Sequence, residues 1–446
     1  MSRYAVKKVC AYIKHYGVTG LVRKYIERKK DRDNYSEERL KELVCEEEFL
    51  AQKNHHFDYE PVVSIIVPVF NAPKEAFINT LRSVKNQSYG KWELCINDAG
   101  TIPVEEIVKQ VFPDDMRVKY NYSDIRLGIS HNSNEALKLA TGDYVAFLDH
   151  DDLLTKDALF HMIKTANETR ADMIYSDEDK VSEDFKEFFR PYRKPDYNHN
   201  LFLANNYICH FCMIKRELVE KAGGFKNEYD GAQDYDLFLR CMEQANRIEH
   251  VSKVLYHWRV TKSSTSDNPF NKNYAHNAGK KALEDYFERN NISEVVVNET
   301  KDPGYYELSY NGKTDIMDEY ELILSDNMIL SEESKELLLK RAIISGGEII
   351  APKHIKKGKY VYNGLAKRGG EVTQSLVGKP KWYRGRFNLG ITAMDICLAP
   401  NSGILVKKEL IPWIKANKEN FIDNRSGKFA GVTMVYEPGA KIDIKR

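Results

Sequence analysis

The stretch Phe147-Leu148-Asp149-His150-Asp151-Asp152 places three carboxylates directly behind the apolar run Tyr144-Val145-Ala146-Phe147-Leu148. This run has the length and the apolar bias of a buried strand, so we expect the acids where that strand leaves its sheet. In open parallel sheets, ligands collect outside the carboxyl ends of the strands. Crowded acids repel one another unless a cation or protons neutralise them, and oxygen ligands suit Mg²⁺ or Mn²⁺ together with substrate phosphates. The stretch therefore predicts an enzyme that handles a divalent metal ion and a diphosphate.

Strand and helix patterns alternate on both sides of these acids. Helices are predicted from near Asn132, with Glu135 completing a capping box, and from Thr155. The pattern predicts a mostly parallel, Rossmann-like α/β sheet with helices on both faces. No glycine-rich phosphate motif follows the first strand, which disfavours a dinucleotide-binding or P-loop protein. The predicted strands are Val63–Val69, Trp92–Ile96, Arg117–Tyr120, Tyr144–Leu148 and Asp172–Ser176.

Composition narrows the class of protein further. The chain has 446 residues, enough for two or three domains, and its 67 basic and 66 acidic residues give a net charge of +1. No overall field favours nucleic acid, so we predict no nucleic-acid partner. The seven cysteines lack framework spacing, which fits a reducing compartment. The close pair Cys209 and Cys212 lies in an apolar run and is interpreted as core packing rather than as a redox or metal pair. The absence of a membrane-length apolar stretch and of a signal peptide predicts a cytoplasmic protein.

The first 32 residues differ from the rest, because ten basic residues face only Glu27 and Asp31 as acids. Apolar residues between them would form one stripe of a helix. A basic amphipathic helix is typical of a segment attracted to anionic lipid at a membrane surface. The same pattern also fits a helix that docks on the domain with its basic face in water. We leave these two interpretations open, and with them a peripheral location at the inner face of the cell membrane.

An ordered set of motifs resembles the family-2 glycosyltransferases with the GT-A fold, in the branch that acts on bacterial cell-surface polysaccharides such as O-antigen and rhamnan. The set covers about residues 60–290 and comes in the family's order. A lone Asp-x-Asp would be a weak signal, whereas the ordered set is specific. The motifs are Ser64–Asn71, Asn97-Asp98, Leu127–Ser130, Phe147–Asp152, Tyr175–Lys180, Gln233–Leu237 and Tyr256–Arg259.

The resemblance implies an inverting transfer of a sugar from a nucleotide diphosphate, UDP or dTDP, to a glycan hydroxyl. Asp149 and Asp151 match the Asp-x-Asp that holds Mn²⁺ or Mg²⁺, with Asp151 the more direct ligand. Asp234 matches the base that takes the acceptor proton. His257 and Arg259 match positions near the diphosphate, and His257 is counted as a further metal ligand. The wall around the nucleotide base is matched by Pro68, Phe70, Asn71 and Asp98, flanked by Arg126 and Asn132.

Two further features follow from this resemblance. Residues Ser263 to Ser266 match a mobile lid. The family usually carries two acids after the second strand, and here Ala99 stands in place of the second. Because Asp98 remains, we expect recognition of the base to survive, with the identity of the nucleotide left open.

Residues 143–174 align without a gap onto residues 319–350. In this alignment Asp149-His150-Asp151-Asp152 becomes Ser325-Asp326-Asn327-Met328, and no second copy of the Gln233–Asp236 motif follows. The tail therefore resembles the second half of a second GT-A unit that binds no metal and does not catalyse. The alternative to a repeated half domain is chance similarity between α/β segments. Acceptor docking, dimerisation and support of the first domain are left open as roles for the tail.

The sequence thus predicts a basic helical segment over residues 1–58, a GT-A catalytic domain over 59–295 and a smaller α/β domain over 296–446. The expected partners are a nucleotide-sugar donor and a lipid-linked or polymeric glycan acceptor. One alternative is a catalytically silent GT-A scaffold or glycan-binding partner, against which the intact Asp149, Asp151 and Asp234 count. Another is a sugar nucleotidyltransferase, which would normally show a glycine-rich loop where Phe70–Pro73 stands. A dehalogenase-type phosphatase would need Thr at position 153, which is Leu153.

Overall fold

The computed structural model describes residues 13, 17–22, 25, 35–261, 273–373 and 375–445. The described chain divides into two compact units. The first comprises residues up to 194 together with 208–279, and the second comprises residues 195–207 together with those from 280 onward. The predicted basic segment over residues 1–32 and the predicted lid at Ser263–Ser266 lie mostly or wholly outside the described residues. The predicted domain boundaries at residues 59 and 296 stay predictions.

The first unit is built on one nine-stranded sheet with the strand order β3-β2-β1-β4-β8-β6-β9-β5, and β7 pairs with β6. Strands β3, β2, β1 and β4 are parallel. Strand β8 is antiparallel to both β4 and β6, while β9 runs parallel to β6. The strands are β1 Val63–Val69, β2 Trp92–Asp98, β3 Val118–Tyr122, β4 Tyr144–Phe147, β5 Leu153–Leu154, β6 Met173–Ser182, β7 Phe188–Tyr192, β8 Cys212–Lys215 and β9 Ile248–Val260.

Helices and the sheet share one hydrophobic core in this unit. Every residue of β1 and β2 is buried, as expected of β-branched central strands covered on both faces. The predicted mixed α/β fold class is confirmed. The helices are α1 Tyr35–Glu42, α2 Glu46–Lys53, α3 Lys74–Lys85, α4 Glu105–Val111, α5 Ile129–Leu137, α6 Ala158–Thr169, α7 His199–Phe202 (in the second unit), α8 Arg216–Lys221, α9 Gln233–Met242 and α10 Asn273–Arg289.

One predicted helix start was wrong. Helix α5 begins at Ile129 and not near Asn132, because Gly128 has a φ of 98° and turns the chain into the helix. Asn132 therefore lies inside the helix, and Glu135 forms an ion pair with Lys138 instead of a capping box.

The second unit contains a seven-stranded sheet with the order β12-β20-β14-β22-β13, joined by β15 on β14 and β18 on β22. Further two-stranded ribbons and two helices complete this unit. These elements are β10 Val295–Glu299, β11 Tyr306–Tyr310, β12 Tyr320–Ile323, β13 Met328–Leu330, α11 Glu332–Ser345, β14 Ile349–Lys356, β15 Lys359–Tyr362, β16 Lys367–Arg368, β17 Glu371–Val372, β18 Met394–Asp395, β19 Leu398–Pro400, β20 Ile404–Lys407, α12 Ile411–Ala416, β21 Phe421–Asp423 and β22 Met434–Ile444.

The order β12-β20-β14-β22-β13 repeats the order β4-β8-β6-β9-β5 of the first unit, with the same directions. In both sheets the first two neighbouring pairs are antiparallel, the third is parallel and the fourth is antiparallel. The register agrees as well. Met173 lies opposite Ile214 in the first unit, and the aligned Ile349 lies opposite Val406 in the second.

A tertiary hydrogen bond is also repeated. The Tyr144 hydroxyl donates to the Ala171 carbonyl over 2.8 Å, and the aligned Tyr320 hydroxyl donates to the Gly347 carbonyl over 2.8 Å. Tyr144 begins β4 and reaches the loop before β6, and Tyr320 begins β12 and reaches the loop before β14. Among the described residues, no helix is both long and apolar enough to cross a membrane.

Candidate active site

A cavity of about 370 Å³ opens in the first unit beside the carboxyl ends of β1 and β4. Asp149 from the loop after β4 and Asp234 from the start of α9 both line it. His210, from the loop before β8, and Trp258, from β9, contribute further walls. The sheet order explains why these residues lie close together. Strands β4, β8 and β9 belong to one sheet, and the loops that carry the residues lie at the same edge of it.

The three acids behind β4 differ in their environments. The side chains of Asp149 and Asp151 are 54% and 28% exposed, whereas Asp152 is 1% exposed. One Asp152 oxygen accepts a hydrogen bond from the Tyr256 hydroxyl over 2.6 Å, and the other accepts one from the Arg259 backbone N–H over 2.7 Å. Burial, followed by repulsion from Asp149 and Asp151, raises the pKa of Asp152 well above its usual range. Asp152 therefore shapes the loop, and Asp149 and Asp151 are the acids available to a ligand.

Arg259 lies at these acids, as expected for a cationic group near a diphosphate. Its guanidinium Nη1 lies 2.8 Å from Asp151 Oδ2. Arg259 is 6% exposed, so its charge acts in a partly desolvated environment where it interacts strongly.

The structure does not bring His257 to the acids. Its Nδ1 lies 2.5 Å from Asp179 Oδ1, and its ring packs edge-on against Phe188. The Tyr35 hydroxyl of α1 also donates to the Asp179 carboxylate. Successive residues of a strand point to opposite faces, so β9 directs Tyr256 towards Asp152 and His257 away from it. The suggestion that His257 is a metal ligand therefore lacks geometric support.

His210 takes the place beside the acids that His257 was expected to fill. Its Nε2 lies 3.8 Å from Asp149 Oδ2, and its Nδ1 lies 3.6 Å from Glu178 Oε2. Its ring stacks on Tyr256 with centroids 4.7 Å apart. Burial opposes the charged form of His210, but Cys209 and Glu178 outweigh burial and raise its pKa well above the usual value. The partly buried His210 ring thus lies beside the open carboxylate of Asp149.

Glu178 anchors this histidine from behind. Burial would raise its pKa, but Lys194 and His210 lower it to about 2. The Lys194 ammonium lies 3.3 Å from Glu178 Oε2 and is fully buried. Sequence reasoning missed His210 because it treated residues 207–214 as an apolar core run. The signal that was available is an ionisable residue between two apolar ones at the entrance to a strand.

Asp234 occupies the second position of α9. Its Oδ1 accepts a hydrogen bond from the Tyr235 backbone N–H over 2.8 Å, and its Oδ2 lies 4.0 Å from the Cys209 sulfur. The helix N-terminus favours a negatively charged side chain at this position. Asp234 is half-buried and lines the same cavity as Asp149, and its role as the base stays a prediction.

The predicted nucleotide wall is only partly open to a ligand. Pro68 lines the cavity, and Phe70 is 50% exposed beside it in sequence. Asp98, in contrast, is fully buried. Its oxygens accept hydrogen bonds from the backbone N–H groups of Gly100 and Val104, over 2.8 and 2.9 Å, and from the Tyr120 hydroxyl over 2.8 Å. In this geometry Asp98 supports the loop after β2 rather than presenting free oxygens to a base.

The remaining wall residues tie loops together. The Asn71 Oδ1 accepts hydrogen bonds from the Thr101 backbone N–H and hydroxyl. The Arg126 guanidinium donates to the carbonyls of Ala99 and Gly100 over 3.1 and 3.0 Å.

Asn132 is buried beneath this wall. Its amide donates to the Val69 carbonyl over 2.9 Å and accepts from Asn97 over 2.8 Å. Asn132 therefore holds the end of β1 in place and is not itself exposed to a ligand.

The oxygen donors present fit a hard divalent cation. Asp149 and Asp151 offer exposed carboxylates on one loop, the ligand type that Mg²⁺ and Mn²⁺ prefer. Glu178, Cys209 and His210 also offer one ligand atom each within 4.8 Å of one another. Because Glu178 is already paired with the buried Lys194, we assign that trio to the support of His210.

Comparison with known proteins agrees with this geometry. Residues 64–223 match the sequence model of the family described as Glycosyl transferase family 2. The matched segment contains β1, the loop of Asp149 and Asp151, and His210. Residues 64–223 are therefore similar in sequence to the family-2 glycosyltransferases.

Curated relatives match about half of the chain. An uncharacterised protein of Sinorhizobium fredii is 38% identical over 242 residues, which is 53% of this chain and 26% of that protein. The O-antigen biosynthesis protein RfbC of Myxococcus xanthus is 29% identical over 53% of this chain and 19% of its own length. A chondroitin synthase of Pasteurella multocida is 28% identical over 49% of this chain and 22% of its own length. The matched part of the chain thus spans about a quarter or less of each relative.

Solved structures that match part of the chain include the Staphylococcus aureus protein TarS with UDP, at 21% identity and a TM-score of 0.38, covering 51% of this chain and 72% of that one. The mannosyltransferase PcManGT from Pyrobaculum calidifontis, solved with GDP-Man and Mn²⁺, has 21% identity and a TM-score of 0.39, covering 54% of this chain and 69% of that one.

Proposed function

We propose that the first unit is an inverting, metal-dependent glycosyltransferase that uses a UDP- or dTDP-sugar. The observation that carries this proposal is the placement of Asp149 and Asp234 on the walls of one cavity, in a unit whose residues 64–223 match the family-2 sequence model. One carboxylate lies on the side of the Asp-x-Asp loop and the other at a helix N-terminus. A displacement at a sugar carbon needs a charged diphosphate site and a proton acceptor on opposite sides of that carbon.

The diphosphate side is assigned to Asp149, Asp151, Arg259 and His210. Asp151 and Asp149 would hold Mn²⁺ or Mg²⁺, and a bound metal ion supplies Lewis-acid stabilisation of the departing diphosphate. The Arg259 guanidinium already lies 2.8 Å from Asp151 and would donate hydrogen bonds to phosphate oxygens. His210, held by Glu178, offers a second donor on the same side. Both cations lower the charge that accumulates when the nucleotide leaves.

The acceptor side is assigned to Asp234. Its carboxylate accepts the proton of the attacking glycan hydroxyl while that oxygen forms the new glycosidic bond. The bond between the anomeric carbon and the diphosphate breaks in the same in-line displacement, so the configuration at that carbon inverts. The Tyr235 backbone N–H holds one Asp234 oxygen, and the Cys209 sulfur lies 4.0 Å from the other.

The acceptor is proposed to be a lipid-linked or polymeric glycan used in cell-surface polysaccharide synthesis. The names of the RfbC and chondroitin synthase relatives support a polysaccharide role. The O-antigen or rhamnan branch, a site at the cytoplasmic face of the membrane and association into a homodimer belong to this proposal as well. They rest on the sequence motifs and on the basic N-terminal segment.

We further propose that the second unit is a degenerate copy of the second half of such a domain. Its strand order, strand directions and register repeat those of the first unit. At the position of the acids it carries Ser325, Asp326 and Asn327, and the Ser325 hydroxyl is bonded to the Ser402 hydroxyl over 2.8 Å. By the alignment of β20 with β8, Ser402 falls on His210. A hydroxyl pair thus stands where the first unit has a carboxylate and an imidazole, which disfavours metal binding.

Thermal-shift titration tests the transferase proposal. We expect UDP or dTDP, or a sugar derivative of one of them, to raise the melting temperature with Mn²⁺ and much less without it, because a ligand that binds only the folded state stabilises it. Hydrolysis or transfer of the matching nucleotide sugar should then depend on the same metal. Metal-dependent binding without any turnover would favour the scaffold alternative. No shift with any nucleotide would remove the donor assignment.

A further inference from the structure

The second unit contains a cavity of about 410 Å³ that the transfer reaction does not use. It is walled by α7, the ribbon β10–β11, residues of α11 and β14, the 3₁₀ segment Arg386–Ile391, and the bend in β22. Its volume lies within the range of small-molecule sites in proteins, roughly 300–1,000 Å³. All of these lining residues belong to the second unit.

This cavity is not the remnant of a donor pocket. Under the alignment of the two sheets, the donor-pocket residues Asp149 and His210 correspond to Ser325 and Ser402, and neither of these lines the cavity. The cavity instead lies by Lys353, where β14 and β22 change register beyond Pro352. Bulged positions of this kind often re-aim a side chain next to a binding site.

The charges of the cavity cancel. Four carboxylates and four cationic side chains line it. Two of these pairs are already formed. Arg341 Nε lies 2.7 Å from Glu437 Oε2, with both side chains buried, and Arg384 Nη1 lies 2.5 Å from Asp302 Oδ2. An electroneutral lining gives no net attraction to an anion or a cation, but it offers many hydrogen-bonding groups of both kinds.

Two polar groups of the lining have no partner among the described residues. The Asn200 side chain is 3% exposed, and its Oδ1 accepts no hydrogen bond, although its amide nitrogen donates to Asp395 over 2.6 Å. The half-buried Lys353 ammonium forms neither a hydrogen bond nor an ion pair within the described chain. Burial lowers the pKa of Lys353, and the negative charge of Glu437 opposes this shift. Buried polar groups without partners are costly, so the Lys353 ammonium favours a ligand that offers it a hydrogen-bond acceptor.

The segment Arg386–Ile391, which forms one wall of the cavity, contains strained backbone. Phe387 and Asn388 are consecutive non-glycine residues with φ of 52° and 58°. The Tyr305 hydroxyl donates to the Phe387 carbonyl over 3.0 Å and stabilises this conformation. Left-handed conformations of such residues cost energy and occur most often at binding and active sites.

We propose that this cavity binds a neutral saccharide. A sugar hydroxyl donates one hydrogen bond and accepts others, so vicinal hydroxyls match a lining that carries the Lys353 ammonium together with carboxylate acceptors. The aromatic side chains of Tyr305 and Tyr306 in the lining would cover the apolar face of a sugar ring. The proposal deepens the transferase assignment if the saccharide is the glycan acceptor, and to that extent it rests on the proposed function. The binding itself requires no donor nucleotide.

The test is saturation-transfer NMR and calorimetric titration of the full chain without nucleotide. The probes are the methyl glycosides of glucose, N-acetylglucosamine and rhamnose, their disaccharides, and glucuronate and glucose 6-phosphate as charged counterparts. We expect at least one neutral probe to bind saturably and more tightly than its charged counterpart. Failure of every neutral probe at millimolar concentration, or binding of the charged probes alone, would overturn the proposal.

Substitutions in the lining test whether the saccharide binds in this cavity. Lys353→Met should raise the dissociation constant for the saccharide about tenfold or more, since it removes a charged hydrogen-bond donor. Lys356→Met, an exposed lysine of the same strand, is the matched control and should leave it unchanged. Ile391→Trp, which fills the cavity from a partly exposed wall, should abolish binding without touching a buried polar group. Binding that survives both Lys353→Met and Ile391→Trp would place the saccharide elsewhere and overturn the proposal.

One further variant separates this proposal from the proposed transferase. Asp151→Ala should abolish metal-dependent nucleotide binding and leave saccharide binding intact. Nucleotide binding without saccharide binding would refute the cavity proposal alone. Saccharide binding without nucleotide binding would refute the donor assignment alone. Loss of saccharide binding in Asp151→Ala, with retention in Lys353→Met, would assign the sugar to the donor pocket and overturn the inference.

Discussion

Two aspartates at the carboxyl ends of β2 and β4, the strands on either side of β1, lie in different environments, although sequence reasoning placed both at the nucleotide. Asp98 is fully buried, and three protein donors occupy its oxygens. Asp149 is 54% exposed, and the partly buried His210 lies 3.8 Å from its carboxylate. A carboxylate whose oxygens are already bonded gains little from a ligand, whereas an open one gains much. Asp149 is therefore the better candidate for contact with donor or metal.

At the scale of single residues, we also make a prediction for Asp234. Asp234→Asn should lower kcat by roughly 100- to 10,000-fold, because the amide has nearly the same shape but cannot accept the acceptor proton. Initial-rate kinetics should show a donor KM within a few-fold of the wild-type value, and circular dichroism should be unchanged. A kcat within tenfold of wild type would mean that another group serves as the base.

The histidines mark the limit of sequence reasoning at this scale. His257 stands in a polar motif and was expected at the metal, yet the alternation of β9 turns it towards Asp179. His210 stands in an apolar run and was passed over, yet the loop before β8 carries it to Asp149. Which face a strand residue occupies depends on register, and the motif does not specify register.

At the scale of elements, Glu93 joins the parallel strands. Its oxygens accept hydrogen bonds from the Ser64 hydroxyl of β1 over 2.6 Å and from the Thr141 backbone N–H over 2.6 Å. Lys119 of β3 lies 2.7 Å away, and Glu93 is 7% exposed. Burial raises the pKa of Glu93, but the bonds from Lys119, Ser64 and Thr141 outweigh burial and lower it to about 2.

This depressed pKa predicts a pH dependence of stability. Because the folded-state pKa lies below the usual Glu value, the stabilisation is fully present above about pH 4.5 and is lost as the pH falls towards 2. The loss should reach about 2–3 kcal/mol. Urea unfolding between pH 6 and pH 3 measures it, with Glu93→Gln as the comparison. Since the variant has no proton to gain, its free energy of unfolding should fall less steeply, and an equal slope would contradict the assignment.

A glycine shows how closely the elements approach one another. A Cβ on Gly142 would lie 2.5 Å from the Val62 carbonyl oxygen and 2.8 Å from the Ser64 hydroxyl. Gly142→Ala must therefore push apart the starts of β1 and β4, and we expect a loss of about 1–3 kcal/mol in the free energy of unfolding. Gly90→Ala is the control, because nothing lies within 4 Å of its Cβ. Equal stabilities for the two variants would show that the contact relaxes at no cost.

At the scale of the whole molecule, the second unit repeats the strand order of β4-β8-β6-β9-β5. It does not repeat the charged residues of the candidate active site. Asp149, His210 and Asp151 have Ser325, Ser402 and Asn327 as their counterparts in the second unit. Packing of the strands depends on apolar residues, and these agree between the copies. A metal site depends on a few carboxylates, and only Asp326 remains near that position.

This difference predicts opposite outcomes for two matched variants. Asp151→Ala should lower transfer at least about a hundredfold, since it removes a carboxylate proposed to hold the metal ion. Asp326→Ala should leave the rate within twofold of wild type. Both variants should keep the circular dichroism spectrum. Comparable losses of transfer in both folded variants would show that the second unit takes part in catalysis.

The sequence by itself determined the mixed α/β fold class, the bounds of β1 to β4 to within about two residues, and the acids after β4. It did so because buried strands need continuous apolar runs, and these runs mark where each strand ends. Tertiary structure alone decided which side chains share a cavity. It joined Asp149, His210 and Asp234, buried Asp98, turned His257 away, and left Asn200 and Lys353 facing a second cavity. These outcomes depend on register, strand order and loop closure between residues far apart in the chain, and local sequence carries no record of them.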